Sequence, residues 1–450
     1  MKKLLSTIAL VMCLAINAGA QQRIQFHAAK AALPVLSSVV SIDRVDGDLV
    51  TAYGNKEELM RLDSLGYSFD VVPSEEPKVL NMATTVEQMV SWDRYPTYET
   101  YLALMERFSQ CPFCHIDTIG RSVQNRLILC AVLSAGDAVA DKSSFFYSST
   151  IHGDEVTGYY LMLRLIDTLI NGYGNNDYIT CLLNHVDVYI NPLANPDGTY
   201  ISSNSSVAGS QRYNANYVDL NRNYPDPFGT APLSPQQVEN TAMIDYFANH
   251  NFYMSANLHG GAEVLNYPWD SFTSGERPHP MASWWKEVCK EFIDSVKHYS
   301  SSHFRDVTNS GYIAGGDWYV ISNGRQDYVN YYTGCNELTM ELSTQKTLST
   351  DRLNDYWNFQ HAALLAYISR AIRTESCIGS VTSSPKVYPN PTTGLVNIEL
   401  QGTSNIELRD IYGRLVMNCP PDATTINMSS LPSGVYLLRQ GNQFTRIVKR

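Results

Sequence analysis

Positive charge is in short supply in this chain: 33 Lys and Arg stand against 44 Asp and Glu, a formal net charge of −11. No basic stripe exists to displace phosphate counterions, which argues against a nucleic-acid partner. After the N-terminal leader-like stretch no apolar run reaches the length of a membrane-crossing helix, so no integral membrane segment is expected. Internal repeats and low-complexity stretches are missing as well, which leaves ordinary folded domains.

What is present begins with Met1-Lys2-Lys3, an apolar run from Leu4 to Ile16, and Ala18-Gly19-Ala20. That is the charged, apolar, small-residue order of a secretory signal peptide spanning residues 1–20, and cleavage would leave Gln21 first. The expected location is therefore secreted or attached to the cell surface. Nine cysteines include Cys13 in the leader, so eight would meet an oxidising compartment and could pair, in a connectivity the sequence does not give. With 450 residues and 44% hydrophobic content the chain can bury a large core and hold two or three domains.

Residues 21–77 form a first small unit, either a removable pro-segment or an N-terminal cap. Asn55 to Leu65 has the spacing of a short amphipathic helix, and Tyr67 to Pro73 that of a strand ending at proline. From Tyr95 onward helices and strands alternate as in an α/β fold. Tyr98–Phe108 is helical in period; Leu127–Leu133 and Phe145–Tyr147 are near-continuous apolar strands of the doubly buried kind. Glu155 to Ile170 reads as a long helix stopped by Asn171-Gly172, Val186 to Ile190 as a strand, and Asn195-Pro196-Asp197-Gly198 as a turn. Leu338, Met340 and Leu342 face one way along a further strand while Glu337, Thr339 and Glu341 face the other, and Tyr356 to Ile372 reads as the closing helix. Residues 375–386 are a Ser/Thr/Pro linker, and 387–450 carry the frequent turn signals of a small β-sandwich.

A catalytic zinc takes three protein ligands from His nitrogen and carboxylate oxygen and keeps its fourth position open. His152, Glu155 and His259 fit that count. The first two stand three residues apart in Ile151-His152-Gly153-Asp154-Glu155, where a tight turn can aim both at one point and Gly153 permits the sharp backbone path. His259 follows Phe252–Leu258, a buried strand that delivers it at its carboxyl end, where open α/β sheets place their ligands.

These pieces occur together with Val218-Asp219-Leu220-Asn221-Arg222-Asn223, Leu258-His259-Gly260-Gly261 and Met340-Glu341-Leu342-Ser343. On those motifs residues 93–374 resemble the catalytic domain of the zinc metallocarboxypeptidases of the carboxypeptidase A type. Asn257–Ala262, Asn266-Tyr267-Pro268-Trp269-Asp270, Asp317-Trp318-Tyr319 and Gln326-Asp327-Tyr328 make the segment similar to the carboxypeptidase N/E and D branch. The tail from Val387 resembles the C-terminal sorting domain of proteins exported by the type IX secretion system, which implies the secretion machinery as a partner.

The resemblance implies a central mixed β-sheet flanked by helices, one Zn2+ per catalytic domain, and peptide or protein C-termini as substrate. It implies His152, Glu155 and His259 as metal ligands, with the zinc lowering the pKa of its water from about 15.7 to about 7. Glu341 becomes the general base, and Asp219 the carboxylate that orients His152. Arg212 steadies the carbonyl oxygen as it gains charge, and Asn221 and Arg222 clamp the terminal carboxylate. Tyr319, 22 residues before Glu341, matches the mobile substrate tyrosine, and Asp270 the acid that receives C-terminal Lys or Arg. Two departures bear on that preference. Arg325, in Ser322-Asn323-Gly324-Arg325, is expected to bring a positive charge close to the Asp270 pocket, and Glu263, where the branch is apolar, either disturbs the site or adds to its acidity. The transthyretin-like domain usual in the N/E branch is replaced by the export tail.

Three other readings remain. Cys111-Pro112-Phe113-Cys114-His115 satisfies the c-type haem attachment pattern, which would make the chain an electron carrier. A zinc-binding surface module without catalysis is a second, though it has no need of a base such as Glu341. Cell-wall peptide cleavage or amino-acid deacylation on the same fold is the third.

Overall fold

The computed structural model describes residues 21–73, 79–135, 142–231, 234–372, 386–399, 405–410, 414–421, 423–440 and 443–450; the leader and nearly all of the expected linker lie outside them. Two compact units divide between Ser74 and Glu75. In the first, a four-stranded antiparallel sheet runs in the order Ser41–Asp46, Leu49–Gly54, Gln22–His27, Asp70–Val71. Helix Lys56–Ser64 forms where the spacing predicts one. Asn55 accepts from the N–H groups of Glu57 and Glu58, and the Glu58 carboxylate accepts from Asn55 N–H, which closes a capping box and satisfies donors the first turn leaves open. The strand expected over Tyr67–Pro73 contracts to Asp70–Val71, because both residues are exposed and no buried face enforces a longer register.

The second unit is built on an eight-stranded mixed sheet. From one edge the order is Tyr312–Ala314, Ala262–Tyr267, Asn336–Ser343, Phe252–His259, Ser143–Ser149, Val186–Asn191, Leu127–Leu133 and Cys114–Arg121. The three central pairings, from Asn336–Ser343 through to Val186–Asn191, are parallel, and the two outermost on the far side are antiparallel. Alternate residues serve opposite faces. Phe145, Tyr147, Met254, Ala256, Leu258, Leu338, Met340 and Leu342 join one core with helices Tyr98–Phe108, Thr157–Gly172, Asp177–His185, Ala282–Tyr299 and Leu353–Ser369. Phe146, Cys130, Val132 and Phe252 join a second core under helix Val238–Asn249.

Three local expectations shift. The long helix starts at Thr157, not Glu155, since Glu155 is committed to a turn and donates its N–H to His152 O. The closing helix is Leu353–Ser369, preceded by a short 3-10 turn. Asn195–Gly198 opens a one-turn helix, Pro196–Thr199, with proline at its first position and Asn195 accepting from Gly198 N–H.

The C-terminal residues form two antiparallel sheets, one of Lys386–Tyr388, Leu395–Glu399 and Thr425–Asn427, the other of Leu415–Cys419, Ile406–Asp410, Gly434–Gln440 and Gln443–Lys449. Val396, Ile398 and Ile426 from one meet Ile406, Leu408, Leu438 and Ile447 from the other in a shared core, as in a sandwich. No described helix is long and apolar enough to cross a membrane.

Candidate metal centre and substrate pocket

The His152 turn leaves strand Ser143–Ser149 through Thr150, fully buried at φ +65°. A β-branched residue in the left-handed region is strained, and the strain is held by bonds from Thr150 Oγ1 to Pro192 O, 3.2 Å, and to Ser149 Oγ, 2.9 Å. Gly153 is required for a different reason from the one its position in a tight turn gives. Its φ is not left-handed; a Cβ there would lie 2.4 Å from the Gly198 carbonyl carbon and 2.5 Å from Thr199 N. Close backbone approach, rather than backbone freedom, selects glycine.

His152, Glu155 and His259 converge. His152 Nδ1 lies 2.9 Å from Glu155 Oε1 and 3.1 Å from His259 Nδ1, which in turn lies 2.8 Å from Glu155 Oε2. All three residues are buried, and their ligand atoms lie within 4.8 Å of one another. Tetrahedral zinc ligands at 2.0–2.1 Å stand about 3.3 Å apart, so the donor set matches a zinc site in type and closely in spacing. The imidazoles are oriented for it. His152 Nε2 donates to Asp219 Oδ1 at 3.1 Å, which leaves the Nδ1 lone pair directed into the cluster. Asn257 Nδ2 is placed 2.8 Å from His259 Nε2 while its Oδ1 is buried with no hydrogen-bond partner among the described residues. Exchanging the two isosteric ends of this amide lets Oδ1 accept from Nε2–H and turns His259 Nδ1 into a lone-pair donor too.

Charge is concentrated around this point. Asp219 Oδ2 accepts from Arg212 Nε at 3.0 Å, and Arg212 Nη1 lies 3.1 Å from His152 Nδ1 and 3.4 Å from Glu155 Oε1. Burial favours the neutral form of Asp219, yet Arg212, His152 and Arg222 hold its carboxyl well below the usual range. Burial acts likewise on Glu155 and is overcome by His152, His259 and Lys346. Burial drives His259 down to about 4, whereas at His152 burial and Arg212 are outweighed by Glu155 and Asp219, which keep it above its ordinary value.

Strands Phe252–His259 and Asn336–Ser343 place Glu341 beside His259 in register, and Glu341 is buried. Thr339 and Glu337 on the same row are buried as well, so the polar face of this strand is interior. Asp219 caps the short turn Leu220–Arg222 by accepting from Asn221 N–H, which puts Asn221 and Arg222 directly beside it. Tyr319 packs in a cluster with Ala262, Val264 and Trp318, and Val264 is the register partner of Glu341 on the opposite side from His259. Asp270, 7% exposed, accepts from Gln326 Nε2 at 2.8 Å. Burial and the neighbouring Asp327 push its carboxyl well above the ordinary range, against the pull of Arg222.

Four neighbours were given no role from the sequence, although Asn257, Gln326 and Asp327 stand in the motifs that carry the resemblance. Lys346 Nζ bridges Asp154 Oδ2 at 3.2 Å and Glu155 Oε1 at 3.5 Å; Gln326 and Asp327 hold the Asp270 loop; Asn257 addresses His259. Each acts through a contact distant in the chain or, for Asn257, through a side-chain geometry that spacing alone does not specify.

Both departures resolve away from the expectation. Arg325 is fully buried and bonded to both oxygens of Glu337, at 3.0 Å each, so its charge is matched beneath the pocket. Glu263 pairs with Leu342 and so faces the apolar core side of its strand, where it accepts from Phe304 N–H at 2.9 Å and Tyr356 OH at 3.1 Å. It adds nothing to the acidity of the Glu341 side. Among the described residues the cysteines form no disulfide. Cys114 is packed in the main core while the His115 side chain is 66% exposed beside Asp117, an arrangement unsuited to holding one haem in an apolar pocket.

The fold matches solved carboxypeptidases. Carboxypeptidase A from Helicoverpa armigera superposes with a TM-score of 0.58 at 17% identity, covering 78% of this chain and 97% of that one. Thrombin activatable fibrinolysis inhibitor superposes at 0.56 and 15% identity, covering 79% and 99%. Residues 100–363 match the zinc carboxypeptidase family model, and residues 386–450 that of the secretion system C-terminal sorting domain. The chain belongs to the zinc carboxypeptidase family. Carboxypeptidase SOL1 of Arabidopsis thaliana is 32% identical over 63% of this chain and 56% of its own length, and carboxypeptidase M of Mus musculus 31% identical over 62% and 66%. Carboxypeptidase D of Anas platyrhynchos is 31% identical, but the match spans only 19% of that protein. The sorting domain indicates type IX secretion to the cell surface or the extracellular space.

Proposed function

We propose that this chain is an exported, zinc-dependent carboxypeptidase that removes C-terminal Lys or Arg from peptides. The observation that carries the reading is the convergence of His152, Glu155 and His259, from two neighbouring parallel strands, on one buried point beside Glu341. A zinc ion held by these three groups would supply Lewis acidity, polarising the scissile carbonyl and acidifying a water.

The chain's own residues supply the rest. Glu341 takes the water proton and delivers it to the leaving amine. Arg212, fixed by Asp219, presents a guanidinium to the oxygen that gains charge. Asn221 and Arg222 grip the terminal carboxylate, which restricts cleavage to the last peptide bond. Tyr319 closes on the substrate from the Val264 side. Asp270 receives the basic side chain: its carboxyl is costly to ionise when alone in a buried site, and an incoming cation relieves that cost. In the same reading residues 21–77 are a pro-segment or cap, 93–374 the catalytic domain and 387–450 the sorting domain.

The test is to offer the purified protein matched peptides ending in Lys, Arg, Phe, Leu and Glu, with and without a chelator. Release of Lys and Arg that stops with the chelator and returns with zinc is expected. Cleavage of Phe ends with none of Arg would overturn the role given to Asp270, and activity indifferent to the chelator would overturn the zinc.

A further inference from the structure

Arg325, Gln326 and Asp327 are almost completely buried, at 0%, 1% and 1% exposure, and each holds a different part of the site. Arg325 N–H donates to Asn221 Oδ1 at 2.9 Å, which commits the carbonyl end of that amide and leaves its NH2 end as the donor available to a carboxylate. Gln326 donates to Asp270 Oδ1 at 2.8 Å and accepts from Thr339 N–H at 2.7 Å. The Asp327 carboxylate accepts the N–H groups of Asp270 and Ser271 at 2.9 Å each.

This segment is fastened to the strand that carries Glu341. Glu337, Thr339 and Glu341 share one face of that strand. Glu337 takes Arg325 Nε and Nη2 at 3.0 Å each and also accepts from Ser255 Oγ at 2.9 Å. The remaining nitrogen, Nη1, is buried without an acceptor among the described residues, and the guanidinium lies 5.5 and 5.3 Å from the ring centres of Phe146 and Phe247. A fully buried ion pair is a poor way to fill a core, because apolar side chains of equal volume often stabilise it as well or better. What the two-pronged pair provides is a fixed position.

We propose that the Arg325–Glu337 pair is the positioning element of the terminal-carboxylate clamp: it pins residue 325 to the strand bearing Glu341 and thereby sets where Asn221 presents its amide to the substrate. The inference rests on Asn221 and Arg222 being that clamp. Arg325 and Glu337 touch no substrate and act through Asn221.

The test uses the full chain, zinc-loaded and carrying Glu341→Gln so that binding is read without turnover. Affinity is measured by calorimetry for one peptide ending in Arg as the free acid and as the amide. The Glu341→Gln parent is expected to favour the acid by ~10-fold or more, as a charge-assisted clamp should. Arg325→Met with Glu337→Gln is expected to reduce the acid preference several-fold, leaving the part that Arg222 supplies, while melting temperature, zinc content and the preference for Arg over Phe ends are retained. Arg325→Lys, which keeps the charge but one prong, should fall between, and it carries the test if the double variant melts early. Undiminished acid preference in either folded variant would overturn the proposal. Loss of the Arg-over-Phe preference with the acid preference retained would overturn it too, placing the anchor's role in the pocket. A parent that does not favour the acid overturns the clamp reading itself.

Discussion

His259 and Glu341 are register partners on adjacent parallel strands, so their side chains leave the sheet on the same face, one strand spacing apart. A proposed metal ligand and the proposed base are thus held by the ladder of backbone hydrogen bonds and not by a loop. Replacing Glu341 with Gln should preserve this geometry and the metal content while reducing kcat by ~10²–10⁴-fold, the usual worth of a positioned acid–base group. Turnover by the variant at the parent rate, with zinc bound, would remove Glu341 from that role.

Asp219 accepts from His152 Nε2, Arg212 Nε and Asn221 N–H at once. Asp219→Ala frees the imidazole to rotate and change tautomer, and zinc affinity should fall ~10–100-fold in a chelator competition. Catalytic loss should exceed the loss of metal, since Arg212 is released by the same change. Unaltered zinc affinity would show that His152 is oriented by something else.

The raised carboxyl of Asp270, caused by burial and then by Asp327, gives a signed pH dependence. The unfolded chain loses this proton near the ordinary value of 3.8, whereas the folded chain keeps it to higher pH, so the folded state is penalised as pH climbs from there to the folded value. Asp270→Asn should therefore melt above the parent at neutral pH, and the difference should vanish below the ordinary carboxylate range. The same shift predicts that KM for peptides ending in Arg falls as pH rises while KM for those ending in Phe does not. Parallel pH profiles for both peptides would contradict it.

Gly153 has the backbone of Gly198 and Thr199 2.4 to 2.5 Å from where a Cβ would lie. Gly153→Ala must push that backbone or the His152–Glu155 turn aside, at a cost of about 1–3 kcal/mol by analogy with overpacked cores. The melting temperature and zinc occupancy should drop together, as seen by calorimetry and metal analysis. A variant with parental stability and full zinc would mean that the turn can shift freely.

Much of the fold follows from side-chain period. The apolar runs 127–133 and 145–147 read as strands buried on both faces, which implies an interior sheet with helices on each side. The amphipathic spacing over Asn55 to Leu65 gave the helix Lys56–Ser64 to within a residue at each end. Short segments were harder. Tyr67–Pro73 has strand-like composition, but a strand's length is settled by its neighbours, and only Ile24 and Gln25 pair with it.

The residue types at the site were likewise present in the primary structure: two imidazoles and a carboxylate for a metal, an acid on a strand's polar face, and arginines near Asn221. Their meeting was not, because nothing local in a polypeptide specifies which strands become neighbours. Tertiary packing decided that Arg325 is neutralised by Glu337 and that Glu263 serves the opposite face. It also decided that Gly153 is needed for close approach and that Lys346 reaches back to Glu155. The physical reason is range: periodicity and capping act within a few residues, while burial and ion pairing depend on atoms that only the folded chain brings within a few ångströms.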